Sequence, residues 1–291
     1  MPIQYILPAL AAVLYAVSSL FSKRALKEGV GILQLSFVTN VGFTIFFAPL
    51  FLVDPGPPDW SQLHWPIVAG AGYFIGYVLT FTAIRFGDVS IQAPMMGTKV
   101  VFVAAFSVLI GAGPVTTIWW IAAGLTSVAI FLLGFSDWSN RRAVWKTAGM
   151  ALAASAAYGL TDVLVMKYAH DFGPGYFLVV VNIAMLLLSF TLVPFFQAPL
   201  SQIPKKAWPW LLGGAGFMGL QALGIGSAIG FWGDATAVNI IYASRGLWGV
   251  VLVLMIGHWF GNRESEAGRG VMVRRFIGAF MLVVAIVMVL V

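Results

Sequence analysis

Apolar runs of about 20 residues recur along the whole chain, and this repetition constrains the fold more than any other feature. Each run can cross a hydrocarbon core of ~30 Å at ~1.5 Å per helical residue. Ten runs are predicted as helices, at 3–22, 31–53, 65–86, 89–110, 115–135, 146–169, 174–196, 207–230, 235–259 and 273–291. Only 9% of the 291 residues are charged and 60% are hydrophobic, with a mean hydropathy of +0.95. A water-soluble surface cannot be built from so few charges, so an all-α integral membrane protein is expected. Its longest connections are only about ten to fifteen residues, which leaves no room for a soluble domain.

The net charge of +6 would suggest nucleic acid in a soluble protein, but here its placement argues for topology instead. Of 16 Lys and Arg, thirteen follow the odd-numbered runs and only Lys167 lies on the other side, the remaining two being inside runs. Basic loops stay cytoplasmic. The odd-numbered loops are therefore expected inside an inner membrane, and both termini outside. No basic residue precedes the first run, whereas Lys23, Arg24 and Lys27 follow it. It reads as a retained span rather than a cleaved signal. With no cysteine there is no disulfide framework and no thiolate metal site, and no metal or cofactor is expected.

The chain is also written twice. "FGDVSIQAPMMGTK" (Phe86 to Lys99) aligns with "WGDATAVNIIYASR" (Trp232 to Arg245), each ending on a cation inside an apolar run. Upstream, "WPIVAGAGYFIG" (Trp65 to Gly76) aligns with "WPWLLGGAGFMG" (Trp208 to Gly219). Tyr15 with Ser18 and Ser19 matches Tyr158 with Thr161 and Asp162, and Asn40 has a near-counterpart in Asn182. Two five-helix repeats are predicted, 1–140 and 141–291. Because five is odd, the second must be inverted relative to the first. Inverted repeats are the plan of secondary transporters, with a site near the midplane between the halves.

On this duplication, and on the glycine-containing pattern of helices 3 and 4 in each half, the chain resembles the drug/metabolite transporter superfamily in its ten-helix EamA-like branch. The resemblance covers nearly the whole chain. It departs from the usual pattern where Ala112 and Val100 stand near the places of an acidic residue and a proline. The resemblance implies a carrier of small metabolites, and an orientation with both termini inside, opposite to the charge count. It also implies a precedent: related triose-phosphate/phosphate translocators hold phosphate through basic residues in helices 4 and 9. Lys99 resembles the helix-4 lysine. Arg245 resembles one member of a helix-9 Lys-Arg pair, with Ser244 in the place of the other.

Lys99 and Arg245 are the residues with most to explain. Each falls near the middle of its run, where a charge costs at least ~2.5–3.5 kcal/mol. Asp162, the obvious intramembrane acid, could pair with one of them or take part in proton coupling, but a single carboxylate leaves about +1 behind. The expectation is that the two cations converge on one site for an anionic group, a carboxylate or a single phosphate. Helical spacing adds Gln92 on the Lys99 face, and Asn239, Tyr242 and Trp248 on the Arg245 face. Tyr15 and Tyr158, with Asn40 and Asn182, complete the candidate substrate-binding set. For Ser18, Ser19 and Thr161 helix–helix hydrogen bonding is the expected role. Asp88 and Asp234, which begin helices 4 and 9, are expected to cap them.

The predicted function is therefore a secondary transporter of a small anionic or zwitterionic metabolite. A channel or a structural membrane protein is the alternative. An enzyme is disfavoured: there is no H-E-x-x-H or G-x-S-x-G, and His64, His170 and His258 are scattered. Lipid and a small-molecule substrate are the expected partners, with no nucleic acid. Coupling to protons or to exchange, and a monomer or homodimer, are left open.

Overall fold

The computed structural model describes residues 2–54, 56–86, 95–134, 141–256, 259 and 269–290. Among these residues the chain forms helices and no strand. The helices are α1 (Ile3–Lys27), α2 (Ile32–Phe47), α3 (His64–Phe86), α4 (Lys99–Leu109), α5 (Thr117–Gly134), α6 (Arg141–Phe172), α7 (Pro174–Ser189), α8 (Trp208–Trp232), α9 in two pieces, and α10 (Arg269–Leu290). The pieces of the ninth are α9a (Ala235–Tyr242) and α9b (Arg245–Ile256). Five helical stretches among the described residues are long and apolar enough to cross a membrane: 3–27, 32–52, 145–172, 174–195 and 205–232. Three further apolar helices, in 99–109, 117–133 and 276–290, are shorter.

The turns follow from local chemistry. Gly173 takes φ +101, a left-handed conformation that a side chain would disfavour, and Pro174 then opens α7 at once. Gly233, at φ +78, ends α8 and bonds back to the Ile229 carbonyl. The α2 and α7 ends are laced to each other. The Gly31 N–H donates to Gln34 Oε1 (2.7 Å), and Gln34 Nε2 donates to the Ala198 carbonyl beyond α7 (2.6 Å). Beyond α2, the Asp54 carboxylate accepts the Tyr176 N–H at the start of α7 (2.8 Å).

Packing is closest between α1 and α8 and between α3 and α6. The glycine motifs permit it. A Cβ at Gly76 would stand 2.7 Å from the Tyr158 ring, and one at Gly213 the same distance from the Phe21 ring. Small residues let backbones approach where no water is available to drive association. Ser18 hydroxyl donates across the α1–α8 contact to the Gly214 carbonyl (2.8 Å). The main apolar cluster joins α6, α7 and α8 through Val163, Val165, Phe172, Phe177 and Ile229. The outer face of α10 is the reverse: Phe276, Phe280, Val283 and Val287 stand exposed at helical spacing, as a lipid-facing surface requires. Trp60, Trp145 and Trp259 are exposed near helix ends. Trp65, at the start of α3, stacks on Tyr168 (3.8 Å, 7°).

Candidate functional site

Lys99 and Arg245 do not sit inside continuous helices, as the unbroken apolar runs suggested. Met95 and Met96 are helical, Gly97 and Thr98 form a turn, and Lys99 opens α4. In the same way Ala243 and Ser244 interrupt the ninth helix, and Arg245 opens α9b. Each cation thus emerges at a break, where the helical ladder is interrupted.

The two breaks are held differently. At the first, Ser155 hydroxyl on α6 donates to the Met95 carbonyl (3.2 Å), and Ser127 hydroxyl on α5 donates to the Gly97 carbonyl (3.2 Å). Thr98 hydroxyl also donates to Met95 (2.7 Å). At the second, backbone bonds run from the Ser244 N–H to the Ile241 carbonyl (3.1 Å) and from the Gly246 N–H to the Ala243 carbonyl (3.2 Å), and the Arg245 side chain reaches back across the break to hydrogen-bond Tyr242. Among the described residues no hydroxyl of a neighbouring helix bonds its carbonyls.

Asp162, fully buried on α6, is the hub of the Lys99 side. Its Oδ2 faces the Lys99 ammonium at 2.8 Å and accepts from Asn239 Nδ2 at 2.7 Å. Its Oδ1 accepts from the Tyr73 hydroxyl at 2.7 Å. Three donors from α3, α4 and α9a therefore saturate one carboxylate. A buried ion pair is tolerated only when its remaining hydrogen-bonding capacity is met in this way. Of the two cations, Asp162 has taken Lys99.

Arg245 has a different environment. Among the described residues no carboxylate lies within ion-pair distance of it. Its guanidinium carbon is 4.4 Å from the Tyr242 ring centroid and 4.9 Å from that of Tyr15, and these two rings meet edge to face at 6.0 Å. The Tyr242 hydroxyl donates to Gln221 Oε1 (2.6 Å), which fixes the ring beneath the cation. Tyr158 lies beside Tyr77 (6.2 Å) and Tyr73 (6.3 Å), and the Lys99 ammonium stands 5.9 Å over its ring. Tyr77 is near Tyr15 and Tyr242 as well as Tyr158. Five of the chain's 8 tyrosines gather here, so the lining is aromatic as well as cationic. Lys99, Arg245, Tyr15 and Tyr158 all keep part of their surface accessible.

The structure thus brings together Lys99, Arg245, Asp162, Asn239, Tyr242, Tyr15 and Tyr158 of the predicted set. It separates others. Asn40 donates to Ser189 hydroxyl (2.5 Å) and Asn182 to the Leu178 carbonyl (2.8 Å), both in the α2–α7 seam. Polar residues of either helix find partners within that seam, so neither asparagine belongs to the cation cluster. Trp248 turns outward and is 37% exposed, away from the buried face that carries Asn239 and Tyr242. Gln92 and Asp88 lie outside the described residues. Asp234 makes no side-chain cap on α9a, as had been expected. Its carboxylate pairs with the Tyr5 hydroxyl instead. Ser19 and Thr161 hydroxyls bond back to carbonyls of their own helices, Tyr15 and Ala157. Tyr73, Tyr77 and Gln221 were missed by sequence reasoning. A separate cavity of about 420 Å³ opens between α2, α3 and the segment after α7, lined by Ile32, Gln34, Val78, Thr82 and Phe196 among others. It contains none of the cation-cluster residues.

Comparison with known proteins adds three findings. Residues 2–135 match the model of the EamA-like transporter family. No curated protein matches the chain. A solved crystal structure is similar over 98% of this chain and 95% of its own, with a TM-score of 0.71 and 13% identity, a likeness of fold alone.

Proposed function

We propose that this chain, of which residues 2–135 match the EamA-like transporter family within the drug/metabolite transporter superfamily, is a secondary transporter of a small organic metabolite bearing an anionic group. The observation that carries this reading is Arg245. It is a partly buried guanidinium at a helix break, faced by tyrosines and, among the described residues, by no carboxylate. An unpaired charge at membrane depth is expensive, and a substrate carboxylate or phosphate would supply the missing partner in a bidentate geometry that arginine favours. Lys99 adds its field but is already neutralised by Asp162. Asp162 is assigned the structural pair with Lys99 rather than proton coupling.

Alternating access follows from the duplication. The pairing of α1 with α8 and of α3 with α6 is what an exchange of halves would preserve, and it supports two inverted repeats divided near residue 140. The broken fourth and ninth helices support a site at the repeat interface. The positive loops place the odd-numbered connections in the cytoplasm and both termini outside an inner membrane.

A thermal-shift screen against metabolites tests the function, because a ligand of the folded state raises its stability. The hit should then be taken up by proteoliposomes containing the wild type and not by those containing Arg245→Gln. Undiminished uptake by that variant would remove Arg245 from the site. Cysteine placed at position 1 or 291 of this naturally cysteine-free chain should react from outside intact cells, and protection at both would reverse the orientation.

A further inference from the structure

We propose that the site selects monoanions with an apolar body, against both the zwitterion and the dianion of the same skeleton. This rests on the reading of Arg245 as the anion-binding residue and narrows it. The argument is one of charge balance. Lys99 and Asp162 cancel, at 2.8 Å, and leave the single charge of Arg245. A monoanion brings the sum to zero. A dianion leaves one negative charge buried with no further cation in the cluster among the described residues, and a zwitterion brings an ammonium that needs an acidic partner.

No such partner is available among the described residues. Both oxygens of Asp162 are engaged, by Lys99, Asn239 and Tyr73, and the carboxylate is fully buried. Glu28 is engaged by Arg24 and Lys206, Asp54 by the Tyr176 N–H, Asp59 by Ser61 and Gln62, and Asp234 by Tyr5, while Asp171 is exposed at the C-terminal end of α6. Aromatic faces could in principle hold an ammonium. Here Tyr15 and Tyr242 already face Arg245, and Tyr158 already faces Lys99. The same rings offer the body of the substrate an apolar surface, while the hydroxyls of Tyr73 and Tyr242 are turned to Asp162 and Gln221.

Three probes share one phenyl skeleton and differ in charge: 3-phenylpropionate, phenylalanine and benzylmalonate. Binding to the full-length protein in detergent at neutral pH is measured by calorimetry, for the wild type, Arg245→Gln and Asp162→Asn. The expected result is 3-phenylpropionate at least about tenfold tighter than the other two, the size of one uncompensated charge in a partly dry site. That preference disappears in Arg245→Gln, and moves toward benzylmalonate in Asp162→Asn, where a second cation is released. If Asp162→Asn does not fold, the wild type and Arg245→Gln decide alone. Phenylalanine or benzylmalonate binding as tightly as 3-phenylpropionate, in an Arg245-dependent manner, overturns the inference and leaves the anion site standing. Binding that is unchanged in Arg245→Gln overturns both. Absence of millimolar binding by any probe overturns the inference, because five tyrosines and an arginine should retain a phenyl monoanion if the argument holds.

Discussion

Lys99 and Arg245 occupy the same place in two copies of one pattern, yet their surroundings have diverged. Lys99 is paired with a fully buried carboxylate, and its break is stapled by serines from two neighbouring helices. Arg245 stands over two tyrosines and hydrogen-bonds one of them across its break, which among the described residues receives no hydroxyl from a neighbouring helix. One cation completes a polar network that joins α3, α4, α6 and α9a. The other is left with capacity to spare. Equivalent positions in a duplicated membrane protein thus need not share a role, and the partner of a charge says more than the charge itself.

Variants of the Lys99 side should chiefly damage stability, and variants of the Arg245 side chiefly damage binding. The largest effect is expected for Asp162→Ala, which strands Lys99 and frees Tyr73 and Asn239. Breaking a buried pair in this way typically costs about 3–5 kcal/mol, to be read from denaturant unfolding in micelles. The double variant Lys99→Met with Asp162→Leu should recover most of that loss, and no recovery would mean that the pair is not the unit. Arg245→Gln comes next. It loses two cation–π contacts, about 1–2 kcal/mol together, while uptake of the screened substrate falls below detection. A stability loss as large as that of Asp162→Ala would erase the distinction between the two sides. Tyr242→Phe is smaller. It removes only the bond to Gln221, worth about 0.5–1.5 kcal/mol, and should raise KM more than it lowers stability.

The smallest effect concerns a surface pair that calibrates the buried one. Glu28 lies past α1, and a hydrogen bond from Lys206 holds its carboxyl below the ordinary range, with Arg24 adding to it. A depressed carboxylate stabilises the fold above its unfolded value, about pH 4.3, and loses that contribution as the pH falls through its folded value. The stability difference between wild type and Glu28→Gln should therefore be present at pH 7 and vanish in acid. Salt should weaken it at pH 7, whereas the Asp162 effect should resist salt.

Much of this was legible in the chain. Hydropathy gives the helices, and the duplicated cation brings attention to Lys99, Arg245 and Asp162. Helical spacing adds Asn239 and Tyr242, which do converge there. The repeat misled as well as helped. Asn40 and Asn182 are polar in both halves but serve the α2–α7 seam. Conversely Tyr73, Tyr77 and Gln221 align with Gly216, Leu220 and Val78, so no repeated polarity marked them. Their role depends on α3 and α8 pressing close to α6 and α9a, a tertiary fact. The breaks before Lys99 and Arg245 were hidden too, since Gly97 and Ser244 interrupt the backbone without interrupting the hydropathy.

The unequal stapling of the two breaks has a consequence for how such a carrier can change over generations. Replacing Gly97 or Thr98 disturbs carbonyls that three hydroxyls already claim, so drift there is penalised through folding before any new cargo is tried. Ala243 and Ser244 carry no such claims. They sit beside the cation proposed to meet the cargo, and should be exchangeable with little loss of fold. On the proposed duplication, one copy serves as ballast and the other as the adjustable part, and variation in cargo among descendants of this chain should concentrate in the second.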